Sequence, residues 1–251
     1  MTQPLVVVLK TWQGPTPQIA EQRLRRVQDV LASLDKNLVY PNWTLHIADD
    51  GSEPPYVAKL LEVVGNRPFT FSSSWADGDI GANLNAGLRI AFESTDVVLN
   101  WSDDLILMHP MNVGPYVDLL RSDSDTGFIQ TRPIHPSVCT VPTVRGGREY
   151  RRVKAWSPNA FLIVTSLTLM HKRAWDFYGP YPEGLRMDIM QEEMAWRYRR
   201  FEGGLDILVP EELIAISRVD CGGLDSTWDW QLRAKGDWRY RSYAARAKHG
   251  G

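Results

Sequence analysis

Two pairs of adjacent carboxylates, Asp49-Asp50 and Asp103-Asp104, each follow a short apolar run, and a third acidic pair, Glu192-Glu193, lies further along the chain. Val97, Val98 and Leu99 read as a strand buried on both faces, and that strand runs out into Asp103 and Asp104. In an open α/β sheet, ligands bind beyond the carboxyl ends of the strands. A carboxylate pair in that place suits a hard divalent cation such as Mg2+ or Mn2+, and the cation in turn holds a diphosphate. The plainer reading is that two aspartates after a strand begin a turn and cap the next helix. A second strand with the same ending, Trp43 to Ala48 before Asp49-Asp50-Gly51-Ser52, weighs against it.

The elements that must carry these residues alternate regularly in the first half. A strand over Leu5 to Lys10 leads into a Gly- and Pro-containing loop, Thr11 to Pro17. A helix follows from Gln18 to Leu34, with Ile19, Leu24, Val27, Val30, Leu31 and Leu34 on one face and Arg23, Arg25 and Arg26 largely off it. Pro54 and Pro55 open a helix to Val64, and Phe69 to Phe71 forms a third strand. Asp79 to Gly87 starts a helix to about Glu93, whose small residues permit close approach of the sheet or of a ligand. Alternation of this kind predicts a mainly parallel sheet.

The second half is less regular. Arg145-Gly146-Gly147-Arg148 reads as a hairpin tip or flexible loop, and Phe161 to Met170 as β-rich with Leu162, Val164 and Leu167 in the core. Arg173 to Tyr178 is a short helix ended by Gly179-Pro180. Asp188 to Gln191 matches a capping box that launches a helix to about Phe201, which places Glu192 and Glu193 in its first turns. Carboxylates there also favour the helix dipole, which is the plainer account of them. Leu205 to Val209 is a further strand.

Composition narrows the function classes. A net charge of −2 over 251 residues gives no global pull toward nucleic acid, although Arg145 to Lys154 and Ser226 to Gly251 each carry a local +4. Cys139 and Cys221 make neither a disulfide framework nor a zinc pattern and suit a reducing compartment. With no signal-peptide pattern and no run of membrane-spanning length, a cytoplasmic protein is the expectation. None of the five histidines shows metal-ligand spacing, and Trp101 reads as a packing residue.

The order of these pieces resembles the family-two glycosyltransferases of the GT-A fold over residues 4 to 218. Four stretches carry the likeness: the strand Leu5 to Leu9 with its loop and long helix; Ile47-Ala48-Asp49-Asp50-Gly51-Ser52; Gly81-Ala82-Asn83-Leu84-Asn85-Ala86-Gly87 leading to the Asp103-Asp104 strand end; and Glu192-Glu193-Met194-Ala195-Trp196-Arg197-Tyr198-Arg199 followed by Gly203-Gly204 and Val209-Pro210-Glu211. The resemblance implies an α/β, GT-A-type nucleotide-diphospho-sugar transferase fold, with a mainly parallel central sheet flanked by helices and a smaller acceptor-side region. Residues 1–110 would form the nucleotide-sugar half, 111–218 the acceptor-side half with the catalytic helix, and 219–251 a basic aromatic tail. It implies nucleotide contacts at Thr11, Asp49, Asp50, Asn83 and Asn85, metal ligation (Mn2+ or Mg2+) by Asp103 and Asp104, and a catalytic base at Glu193, with Glu192 as second choice. The chain departs from the family pattern at Trp101, where an acid is usual, at Asn83, where a cation often stands, and at Ser217-Arg218, where a histidine often follows.

The implied reaction moves a sugar, from a uridine-diphosphate donor by family frequency, to an acceptor hydroxyl with inversion. A saccharide or glycoconjugate acceptor stands first. The two basic segments, one interleaved with Trp228, Trp230, Trp238, Tyr240 and Tyr243, keep open a hydroxymethylated base of phage-type modified DNA. From another class, a non-catalytic nucleotide- or glycan-binding module is the rival. A sugar nucleotidyltransferase should carry a Gly-rich basic loop after the first strand, which Leu9 to Gly14 does not supply.

Overall fold

The computed structural model describes residues 4–14, 16–74, 79–131, 138–155, 157, 167–185, 187–200, 204–210 and 216–218. The expected core positions Leu162 and Val164 and the tail 219–251 lie outside them.

β1 (Leu5–Thr11) has no polar face, and it lies inside a sheet covered on both sides, as such a run requires. The chain then passes through α1 (Pro17–Asn37), β2 (Leu38–Val39), β3 (Trp43–Asp49), α2 (Pro54–Val64) and β4 (Phe69–Ser73), stepping outward to one edge. α3 (Ile80–Ser94) crosses back and delivers β5 (Val97–Ser102) to the opposite side of β1. These four main strands, in the order β4-β3-β1-β5, are all parallel. α1 and α2 cover one face, packing on Leu5, Val7, Leu9, Leu45, Ile47 and Leu99. α3 covers the other, on Val6, Val8, Ala48 and Val98. The reversal between β1 and β5 is a topological switch point, the place where such sheets open a ligand crevice.

Beyond β5 come β6 (Leu105–Leu107), β7 (Met111–Asn112), α4 (Gly114–Ser122), β8 (Thr126–Gln130), β9 (Thr140–Arg145), β10 (Arg148–Val153), β11 (Thr168–His171), α5 (Lys172–Tyr178), α6 (Met187–Arg200), β12 (Asp206–Pro210) and β13 (Ile216–Arg218). Among the described residues the main sheet has nine strands in the order β4-β3-β1-β5-β11-β8-β12-β10-β9. Only β10 and β11 run against the rest, so the sheet is mostly parallel, as the alternation of elements predicts. It continues across position 110, so the two expected halves share one sheet.

Several boundaries differ for identifiable reasons. α1 runs to Asn37 because Ser33 Oγ accepts from the Leu107 amide and Asn37 Nδ2 donates to the Leu107 carbonyl. α6 already begins at Met187, so Asp188 is a helical residue and not the expected N-cap. The hairpin at Arg145 to Arg148 is present, with Gly146 and Gly147 at φ of 52° and 74°.

Gly87 explains the small residues of α3. A Cβ there would stand 2.9 Å from Ala48 Cβ and 3.2 Å from Val8 Cγ1, so the helix lies directly on the sheet. Beneath it His46 is fully buried, with Nδ1 2.7 Å from Thr70 Oγ1 and Nε2 2.9 Å from Ser72 Oγ. Burial lowers its pKa from 6.5 to about 4, so in that interval the unfolded chain binds a proton that the native ring does not. Its contribution is therefore intact above pH 6.5 and falls by roughly 3 kcal/mol on the way to pH 4. A series of urea midpoints across that interval should show the decline, and His46→Gln should flatten it; an equal slope in both proteins would assign the decline to other groups.

Candidate functional site

At the end of β3, Asp49 is fully buried and held from four directions. Its Oδ1 accepts from Ser52 Oγ at 2.6 Å and Thr11 Oγ1 at 3.3 Å, and its Oδ2 from the Ser52 amide at 2.8 Å and Ser73 Oγ at 3.3 Å. Asp49 is thus the brace of the turn, with Gly51 at φ 66° completing it. Thr11 serves that brace from the end of β1. Asp50 is also buried; its amide donates to the Thr11 carbonyl at 2.9 Å and its Oδ1 accepts from Ser74 Oγ at 3.3 Å.

Asp103 reaches the same end of the sheet from β5, on the far side of β1. It forms an ion pair with Arg23 of α1, Nη1 to Oδ2 at 3.1 Å, both side chains being largely withdrawn from water. Arg23 lies over the Trp12 ring at 5.3 Å from its centroid. Arg26, one turn on, is buried as well, whereas Arg25 is exposed and pairs with Glu21. The expectation that all three arginines lie off the packed face therefore holds for Arg25 alone. The Tyr56 hydroxyl is buried without a hydrogen-bond partner among the described residues. Burial, Asp103 and Asp49 raise its pKa while Arg23 and Arg26 oppose them, which places the phenol in this charged group. Asp104 is half-buried beside Asp103. Trp101 is fully buried, its Nε1 donating to the Leu105 carbonyl at 2.8 Å, and so packs the core as expected. β13 pairs with β6 so that position 218 stands opposite Leu105, next to Asp104 in the chain.

α3 begins over these tips. Asp79 caps it, Oδ1 accepting from the Ala82 amide at 3.0 Å, while Oδ2 accepts from the Gly184 amide. Asn83 donates to the Ala48 carbonyl at 3.0 Å, and its Oδ1 is buried without a partner among the described residues. Asn85, expected as a nucleotide contact, bonds to the 181–183 segment: Nδ2 donates to the Tyr181 carbonyl and Glu183 Oε1, both at 2.8 Å, and Oδ1 accepts from the Tyr181 amide. Its amide positions the 181–183 segment. Gly81 completes the junction, because a Cβ there would lie 2.1 Å from the Pro182 carbonyl oxygen.

That segment leads to α6, which packs against α3 and buries Met190, Met194, Ala195 and Tyr198. Glu193 lies beyond the first helical turn, where the dipole has faded, so the dipole does not account for it. Its carboxylate is 39% exposed and accepts from Arg197 Nε at 3.2 Å. Arg197 in turn donates to the carbonyls of Pro180 at 2.6 Å and Tyr178 at 3.1 Å. Glu192 is exposed.

Thr11, Asp49, Asp50, Asp103 and Asp104 thus gather at the strand ends, with Asn83 above Ala48, while Asn85 and Glu193 attach to the 178–185 segment. Arg23, Tyr56, Asp79 and Trp12 were not singled out from the sequence. Two of them left a trace, Arg23 four residues before Val27 of the packed face and Asp79 at the start of a helix. As a cation site, Asp103 and Asp104 form an incomplete donor set: no group of three His, Cys, Asp or Glu side chains suits a metal among the described residues. One or two carboxylates are nonetheless what Mg2+ uses when substrate phosphates complete its shell, so the pair fits a cation shared with a diphosphate. No helix among the described residues is long and apolar enough to cross a membrane.

No protein-family model matches the chain, and no curated protein does. Among solved structures it is similar to S. aureus TarS (TM-score 0.60, 12% identity), covering 84% of this chain and 36% of that one. It is similar to the mannosyltransferase PcManGT from Pyrobaculum calidifontis in complex with GDP-Man and Mn2+ (0.56, 15%), covering 98% and 64%. A third is a CMP:2-keto-3-deoxy-manno-octonic acid synthetase complexed with CTP (0.54, 14%), covering 93% and 100%. The chain thus spans about a third of TarS and under two thirds of the mannosyltransferase. These likenesses show the fold, which is of the GT-A nucleotide-sugar transferase type.

Proposed function

We propose that the chain transfers a sugar from a nucleoside-diphosphate donor to an acceptor hydroxyl, with inversion at the anomeric carbon. One observation carries this: two acidic strand ends, Asp49-Asp50 and Asp103-Asp104, flank β1 at the switch point of a GT-A-type sheet. Asp50 and the open Oδ1 of Asn83 take the nucleoside, and Asp49 holds their turn. Asp103 and Asp104 would hold Mg2+ or Mn2+ against the diphosphate, where the cation would supply Lewis-acid neutralisation of the leaving group's charge. Glu193, oriented by Arg197, accepts the proton of the attacking hydroxyl. A single displacement with one base inverts the centre.

The acceptor on this reading is a saccharide or glycoconjugate. The basic stretch 145–154 that suggests nucleic acid spends Arg145 on Asp123 and Asp206, and Arg152 on Asp206. The donor is tested first. Saturating UDP or GDP with Mn2+ should raise the melting temperature by about 5–10 °C, and a matching UDP- or GDP-sugar should be slowly hydrolysed. Binding without hydrolysis or transfer would leave a binding module. Pyrophosphate release from CTP or UTP would replace sugar transfer by nucleotidyl transfer.

A further inference from the structure

We propose that Arg23 is a stand-in cation on Asp103, so that a divalent metal enters this site only together with the nucleotide's diphosphate. The inference rests on the donor reading above and concerns the order in which the site fills. Asp103 is 10% exposed and Arg23 14%, so the pair lies where an unneutralised carboxylate is costly and a counter-charge must always be present. Arg23 supplies it from α1.

The guanidinium is also held from outside the pair. Trp12 lies against it, and Gly14, at φ 77°, brings the loop so close that a Cβ there would stand 3.4 Å from Arg23 Nε. Arg23 therefore has a platform that does not depend on Asp103. Around it, the buried Tyr56 hydroxyl has no hydrogen-bond partner among the described residues, and Arg26 adds a second buried guanidinium. Together these suit an incoming phosphate oxygen, which guanidinium groups bind with two parallel hydrogen bonds.

Taken alone, a dication meets a carboxylate already neutralised and a donor set short of a third side chain among the described residues. A diphosphate changes both conditions at once. It gives Arg23 another anion and gives the metal its missing oxygens. Arg23 moves from carboxylate to phosphate, the metal takes the carboxylate, and the site's charge stays balanced throughout.

Mn2+ uptake by the full chain, followed by the loss of the free-ion paramagnetic resonance signal, tests this with and without UDP or GDP. The wild type should take up Mn2+ far more weakly without nucleotide than with it. Arg23→Gln should bind Mn2+ alone about tenfold more tightly than the wild type, narrowing to about threefold with nucleotide, the scale set by one charge repelling a dication at ion-pair range in water. Arg23→Lys, which keeps the charge, should follow the wild type. Equal uptake by the wild type with and without nucleotide overturns the proposal, and that comparison needs no folded variant. So does an Arg23→Gln protein with no gain in nucleotide-free uptake. In either case intact nucleotide binding leaves the sugar-transfer reading standing, whereas no nucleotide binding in any protein overturns both.

Discussion

Glu193→Gln is expected to slow sugar transfer by about 10³-fold, the scale on which a positioned base contributes, while nucleotide affinity stays within about twofold. The substitution keeps the shape and the contact with Arg197 but removes the lone pair that must accept a proton. Stability should hardly change, because the Glu193–Arg197 pair is an (i, i+4) contact open to solvent. Glu192→Gln is the internal control, since that side chain is exposed and its loss should leave the rate nearly unaltered. Initial rates at saturating donor separate the two residues. A Glu193→Gln enzyme as fast as the wild type would remove this residue from the chemistry, and a slow Glu192→Gln enzyme would hand the role to its neighbour.

The second large effect concerns folding. Asp49→Ala deletes the acceptor of four hydrogen bonds in a place closed to water, stranding the Ser52 amide and the hydroxyls of Ser52, Thr11 and Ser73. Buried donors left unmatched cost about 1–3 kcal/mol each before relaxation, so a total near 3–4 kcal/mol and a melting temperature lower by about 10 °C are expected. Asp50→Ala should behave oppositely, with little change in melting and a clear loss of nucleotide affinity. Calorimetry and nucleotide titration on both variants would expose any exchange of roles between the two aspartates.

The first half of the chain was legible because its signals are local. Apolar runs of five to seven residues, proline at helix starts and aspartates at strand ends each speak for their own neighbourhood, and β1, α1, β3, α2 and α3 appear close to where those signals place them. What escaped depends on partners distant in sequence. β8 reads Thr-Gly-Phe-Ile-Gln, yet it is buried throughout because it lies between β11 and β12, where Gln130 Oε1 accepts from Thr168 Oγ1, 38 residues away, at 2.6 Å. Arg23 looks like a solvated arginine until Asp103, 80 positions later, arrives beside it. Asn85 sits in a motif that suggests phosphate or ribose, and only the fold reveals that the 181–183 backbone takes its amide. Pattern reports what a residue prefers; a remote partner decides what it does.

The junction of Gly81 with Pro182 and of Asp79 with Gly184 has a further bearing on the proposed reaction. It joins the first turn of the helix above the nucleotide to the stretch whose carbonyls steady Arg197, and through it Glu193. Selecting a donor and timing the removal of a proton then share one piece of backbone. A leaving group that nudges that turn also re-aims the base, so discrimination among sugar nucleotides should surface in turnover more than in affinity.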